Sequence, residues 1–238
     1  MSDERAYRQH LFILLGLFAV LWLILAIDPH NRRDWAMENI LVLVVGAGMV
    51  MSHRWFRFSR VSLTLIFLFV CLHELGAHYS YAKVPYDDWL RALFGQGLDE
   101  TLGWERNQFD RLVHFCYGLL IAYPAREALL RGTGARGWWS YFIAVDFILS
   151  TSAMYELIEW IGGDYFGGEE AEAYIAAQGD KWDAQKDMAL AGIGALIALG
   201  ICAAVNLRQG RDLALDWVRA QAGADGRDRS DGSRLLAR

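Results

Sequence analysis

The chain has 238 residues, 55% of them hydrophobic and 21% charged, and a formal net charge of −5. A soluble domain of this length can bury a sizeable core, so the totals alone do not decide between a soluble and a membrane protein. The net charge says little about partners because the charges are unevenly spread, and nucleic acid is not an expected one. Cys71, Cys116 and Cys202 all fall in apolar runs without the spacing of a zinc ribbon or a redox pair, which excludes those two uses and leaves small buried hydrophobes.

The arrangement along the chain decides the class. Leu11 to Ile27 is 17 residues without a charge, about 25 Å of helix and near the lower limit for crossing a bilayer core. Arg5 and Arg8 precede it as they would in a signal peptide. The run ends in Asp28-Pro29-His30 without a small-residue cleavage site, so it reads as a retained first helix. Similar runs follow at about 36–52, 61–80, 111–130, 138–161 and 187–207. The expected fold is all-α: a polytopic membrane bundle of about six transmembrane helices with short interfacial helices, spanning residues 1–210. Residues 211–238 are expected to form a C-terminal cytoplasmic helix and a disordered tail.

Two connections are long. Pro85 opens PYDDWLRALFGQG, where Asp87 and Asp88 suit a helix start and Trp89, Leu90, Leu93 and Phe94 share one face, as in a helix lying in the interface. The stretch GGDYFGGEEAEAYIAAQGD predicts a second short helix ending near Gly179. With six spans both termini share a side. The segments on that side hold 15 of the 23 Lys and Arg residues, including the acid-free HRWFRFSR. The positive-inside rule then places both termini in the cytoplasm of a bacterial inner membrane.

The polar residues of the spans gather at the opposite end. Glu38 and Asn39 start the second span; His73, Glu74 and His78 end the third; Asp110 and His114 open the fourth; Glu156 and Glu159 end the fifth; Asp183 and Asp187 open the sixth. Glu74 and His78, Asp110 and His114, and Asp183 and Asp187 are each four apart, and Glu156 and Glu159 three apart, so each pair shares a helix face. His73 is turned away from the Glu74–His78 face. The inner half holds Asp146, Arg126 and Glu127 as its comparable residues.

Grouped carboxylates and imidazoles at this depth must face each other, water or a ligand. Three uses fit. Such groups on facing helices bind divalent metals, with Glu74, His78, Asp110, His114, Glu156 and Asp187 as the ligand set. All eight of Glu74, His78, Asp110, His114, Glu156, Glu159, Asp183 and Asp187 are candidates for acid/base catalysis. The same groups can relay protons or bind a cation. Plainer readings stand beside these. Asp110, Asp183 and Asp187 suit helix N-termini, His114 can be a hydrogen-bonded bundle histidine, and Glu156 and Glu159 can pair with Arg106 or Arg111. HELGAH is not the zinc-protease pattern, because its histidines are five apart rather than four. The last span carries Gly194, Ala198 and Cys202 every four residues, the spacing of close helix packing.

The segments LHELGAHYSYAKVPYD, LGWERNQFDRLVHFCYGLLIAYP, STSAMYELIEW and QGDKWDAQKDMALAGIGALIA resemble the YjdF-type bacterial inner-membrane proteins, over about residues 11–215. The resemblance implies a membrane class rather than an activity. A weaker similarity is to VanZ-like membrane proteins, through Asp110, Arg111, His114 and Phe115, then Glu156 and Asp187. The Arg that this second pattern has before its last Asp is replaced here by a region holding Asp180 and Asp183. The residues leave three functions open: a periplasm-facing site, with or without a divalent metal, acting on a lipid or envelope precursor; a binder or transporter of a cation, proton or small cationic solute; or a structural protein with a satisfied polar network. Expected partners are the lipid bilayer and such a precursor. No oligomeric state is implied.

Overall fold

A computed structural model describes residues 2–53, 55–166 and 178–223. The described residues form helices α1 (Ser2–Leu25), α2 (Arg32–Ser52), α3 (Arg60–His78), α4 (Tyr86–Phe94), α5 (Leu98–Leu102), α6 (Phe109–Thr133), α7 (Trp138–Phe166), α8 (Asp183–Gln209) and α9 (213–223), with no strand among them. Local chemistry sets several of the ends. The Asn31 side chain accepts from the first amides of α2, and Ser59 accepts from Ser62 N–H to start α3. Pro85 precedes α4, whose first turn carries Asp87 and Asp88. Trp89, Leu93 and Phe94 of α4 stay exposed, as an interfacial helix requires.

Five helices, α1, α2, α3, α7 and α8, are long and apolar enough to cross a bilayer. Phe12, Leu43, Leu157 and Ile201 are among the large apolar side chains they expose, the surface that lipid covers. The run expected at 111–130 is α6, which falls outside that apolar set because it carries Asp110, Arg111, Arg126, Glu127 and Arg131. Its 25 residues give about 37 Å, enough to cross. Its position explains its composition. It packs against α8, α3 and α7, and Leu112 is its one strongly exposed large hydrophobic, so it meets protein where the other five meet lipid.

The α6–α8 contact brings backbone against backbone. A Cβ on Gly118 would lie 1.8 Å from Ala191 O, and one on Gly194 would lie 2.2 Å from Phe115 O. Small residues on both faces permit this approach. The contact fixes the start of α8 beside the start of α6, so Asp187 is held next to Asp110 and His114.

The two ends of the bundle differ. The terminal end gathers the start of α1, the α2–α3 and α6–α7 links, and α9. Tyr7 Oη donates to Phe58 O at 3.0 Å, and Trp217 Nε1 donates to Arg57 O at 2.7 Å. Ala214 and Val218 of α9 are buried with Phe56 and Leu130, so this helix docks onto the bundle just past Gly210. The distal end gathers the α1–α2 link, α4, α5 and the start of α6. There His30 N–H donates to His78 O at 2.8 Å, and Asn107 Nδ2 donates to Val84 O at 2.8 Å. Residues 224–238 of the C-terminal helix and tail expected over 211–238, and most of the short helix expected before Gly179, lie outside the described residues.

Candidate functional site

Helices α6, α7 and α8 bring five ionisable side chains together at the distal end. Asp110, His114 and Asp187, all buried, each offer a ligand atom within 4.8 Å of the others, and His114 forms a second such group with Glu156 and Glu159. His114 Nε2 lies 3.7 Å from Asp110 Oδ1 and 3.5 Å from Glu156 Oε1. Asp187 is 2% exposed, and its Oδ1 has no hydrogen-bond partner; Glu156 Oε1 is likewise buried without a hydrogen bond. Helical spacing produces this directly. Asp110 and His114 are one turn apart on the face of α6 that meets α8, and Glu156 and Glu159 are one turn apart on α7.

A second layer joins the cluster from α2 and α3. The buried Glu38 carboxylate accepts from Tyr155 Oη at 2.7 Å and lies within electrostatic reach of Asp110 and Glu159. His73 Nε2 lies 3.2 Å from Glu38 O, which fixes the proton on that nitrogen, so Nδ1 accepts from Tyr81 Oη at 2.5 Å. Burial, with the Glu38 charge next, raises the Tyr81 hydroxyl well above its ordinary range, which keeps it a donor. The turn after α3 aims it there. Ser80 and Tyr81 hold φ of 52° and 48°, a left-handed conformation disfavoured for residues with a Cβ. The Tyr81 ring fills the space above Gly76, where a Cβ would lie 2.7 Å from it.

Arg106 and Arg111 are engaged by two other acids. Arg106 Nη1 lies 2.5 Å from Asp183 Oδ1, and Arg111 Nη2 lies 2.5 Å from Asp180 Oδ2 and 3.2 Å from Asp183 Oδ1. Lys186 Nζ joins Asp180 at 2.5 Å. The hydrogen bond from Lys186, then those from Trp182 N–H and Arg111, hold the Asp180 carboxyl at about 2. On the other flank, burial and then the 2.6 Å hydrogen bond to Asp99 push the Tyr86 hydroxyl up to about 12. Tyr86 also accepts from Gln108 N–H at 2.9 Å, which ties α4 and α5 to the start of α6.

The structure therefore brings together Asp110, His114, Glu156, Glu159 and Asp187 of the eight candidates. Asp183 stands at the rim in ion pairs with Arg106 and Arg111, the partners that the plainer reading gave to Glu156 and Glu159. Glu74 is fully buried but faces Trp35 and Asn39 of α2. His78 Nδ1 donates to Leu25 O at 2.8 Å, securing the end of α1. Neither belongs to the groups that converge on His114. The physical reason is rotation: Glu74 faces Trp35 and Asn39 and His78 the end of α1, whereas His73, one residue round, reaches Glu38 O and Tyr81 Oη. Tyr155 and Tyr81 carry no charge and have no marked spacing. Their only sequence signal is that Tyr155 precedes Glu156 and that Tyr81 follows a histidine-rich helix end.

These features define an α-helical integral membrane protein with a buried acidic and histidine centre near one end of its bundle. The chain belongs to the family described as Predicted membrane protein (DUF2238), whose model matches residues 10–208. It is 37% identical over 190 residues to the inner membrane protein YjdF of Escherichia coli (strain K12), covering 79% of this chain and 87% of that protein. No solved structure matches the chain. It is thus a multi-pass protein of the inner membrane.

Proposed function

We propose that the distal cluster binds a divalent cation and serves a reaction on a lipid or envelope precursor at the periplasmic face. One observation carries this reading: Asp187 Oδ1 is buried without a hydrogen bond inside a set of carboxylates whose ligand atoms converge on His114. An unpaired buried carboxylate is strongly unfavourable, whereas a cation among three carboxylates and an imidazole removes the penalty. The separations of 3.5 and 3.7 Å lie close to the donor–donor distance of about 3.3 Å that tetrahedral bonds of about 2.0–2.1 Å require. Carboxylate and imidazole donors without a thiolate suit zinc, manganese or magnesium.

Asp110, His114 and Asp187 would hold the ion, with Glu156 as a further ligand. The ion would polarise an ester or phosphate oxygen or acidify a bound water, and Glu159 would accept the proton. The excess of Lys and Arg at the terminal end supports the orientation, with both termini cytoplasmic and the cluster outward. Elemental analysis of the protein purified in nanodiscs tests the reading. The wild type is expected to retain close to one ion per chain, and Asp187→Asn and His114→Ala to lose it while still inserting and folding. A wild type that stays metal-free after exposure to zinc, manganese and magnesium overturns it. The Glu38–Tyr155 and His73–Tyr81 hydrogen bonds favour a structural, satisfied polar network as the second reading, in which paired apolar replacements within the network are tolerated.

A further inference from the structure

A cavity of about 540 Å³ lies between α2, α3, α6 and α7, within the range of about 300–1,000 Å³ of small-molecule sites. Val45 and Met49 of α2, Ile66 and Phe69 of α3, and Ile121 and Ala125 of α6 give it an apolar wall. His73, Tyr81, His114 and Tyr155 sit together at its distal end. At mid-depth, Tyr117 Oη and Thr151 Oγ1 satisfy each other at 2.5 Å, whereas Ser152 Oγ is buried without a partner, one turn below Tyr155.

The shape follows from how α2 is held. Its buried residues, Asp34, Glu38 and Asn39, all lie in its first two turns, and its substantial packing is against α3. Beyond the Glu38–Tyr155 hydrogen bond, α2 and α7 share no extensive packing, so the cavity has a side facing the bilayer. A Cβ added at Gly48, which lines it, would meet nothing within 4 Å. The lining along α6 runs from Val113 to Ala128, about 22 Å of helix rise. One leaflet of a bilayer core is about 15 Å deep. Water finds few partners on such a wall, and the molecules that surround this depth are lipids.

We propose that this cavity takes the hydrocarbon tail of a membrane lipid and so sets that lipid's polar head at the Asp110–His114–Asp187 cluster. The placing of the head rests on the cation-centre reading; the occupation of the cavity does not. The substrate class is then an amphiphile whose tail lies between α2 and α7 and whose first ester or ether oxygen reaches the Ser152 hydroxyl.

The full chain, reconstituted in nanodiscs of phosphatidylethanolamine bearing a diazirine on its acyl chain, can be irradiated and its adducts mapped by peptide mass spectrometry. Adducts are expected at Met49 and Ala125 in several-fold excess over Leu43, which is 70% exposed on another face of α2. Gly48→Trp should remove that excess and leave Leu43 labelling and metal content unchanged. Ala128→Leu, which shortens the cavity at its inner end, should shift adducts toward Val113 and supplies the result if Gly48→Trp misfolds. Asp187→Asn should keep the labelling pattern even as it loses metal, so the two proposals fail separately. Labelling as strong at Leu43 as at Met49, and indifferent to both cavity-filling variants, overturns the proposal.

Discussion

Arg126 and Asp187 lie near opposite ends of the bundle, both almost wholly buried, and their neighbours differ in sign. The Arg126 guanidinium pairs with Asp212, donates to Ser140 Oγ at 3.0 and 3.1 Å, and sits 3.9 Å over the Tyr141 ring. Burial alone would raise the Asp212 carboxyl, but the hydrogen bond and charge of Arg126 together with the Leu215 and Ala214 N–H groups outweigh it and hold that group below its ordinary value. Glu127, beside it, accepts from Ser59 N–H at 3.0 Å. At the distal end Asp187 faces Asp110, His114 and Glu156, and one of its oxygens is left over. The Arg126–Asp212 pair has the composition of a structural joint, each charge met by its opposite, and Glu127 beside it is held by a neutral donor with one oxygen left over. The distal end gathers like charges in one place, which a structural joint has no reason to do.

Replacements at the two ends should therefore have opposite consequences. The largest effect is expected where the ends are tied together. Gly118→Leu or Gly194→Leu drives a side chain into backbone across the α6–α8 contact, and loss of folded protein should be seen by size-exclusion chromatography. Arg126→Ala should follow, lowering stability by about 3–5 kcal/mol in reversible unfolding, the usual loss when one member of a buried pair is removed. Asp187→Asn should sharpen the contrast, because it removes a like charge from the distal group. It should leave metal-free stability unchanged or raised and abolish stabilisation by added cation. For the wild type that stabilisation is about 2.7 kcal/mol at a hundredfold excess over Kd. Tyr81→Phe removes the 2.5 Å donor to His73, with an expected loss of about 1 kcal/mol.

The smallest effect concerns the rim. The folded-state carboxyl of Asp180 sits at about 2, depressed by Lys186 first, against about 3.9 for an unperturbed Asp. Its contribution is complete above the unperturbed value and disappears as pH falls through about 2. Asp180→Asn should flatten the fall in thermal stability between those two values and leave stability at neutral pH little changed. A variant with the same acid limb as the wild type would show that these ion pairs contribute nothing there.

The bundle was legible because apolar runs and their charged breaks report directly on membrane depth. The central place of α6 was not, since a run interrupted by Asp110, Arg111, Arg126 and Glu127 marks burial by other helices only once those helices are in place. The same limit applies to the site. Four-residue spacing identified Asp110 with His114 and put Asp187 at a helix start, because both members of a close pair lie on one element. It could not say that Glu74 and His78 lie outside the cluster while His73 reaches Glu38 O and Tyr81, because helix rotation is set by packing across elements. Gly194 is marked by its spacing in the last span, and its counterpart Gly118 has Ala122 four residues on, but which helix each stripe meets is set only by the packing. Tyr155 and Tyr81 matter through hydrogen bonds to groups 117 and 8 residues away, and no local pattern encodes such pairings.

Electron paramagnetic resonance of manganese added to the metal-free protein addresses the distal cluster directly. A bound ion there should show nitrogen coupling from a single imidazole, and both His114→Ala and Asp187→Asn should lose the bound ion. A signal of free hydrated manganese alone, or a bound ion whose spectrum is the same in the wild type and both variants, would contradict a cation centre at the meeting of α6, α7 and α8.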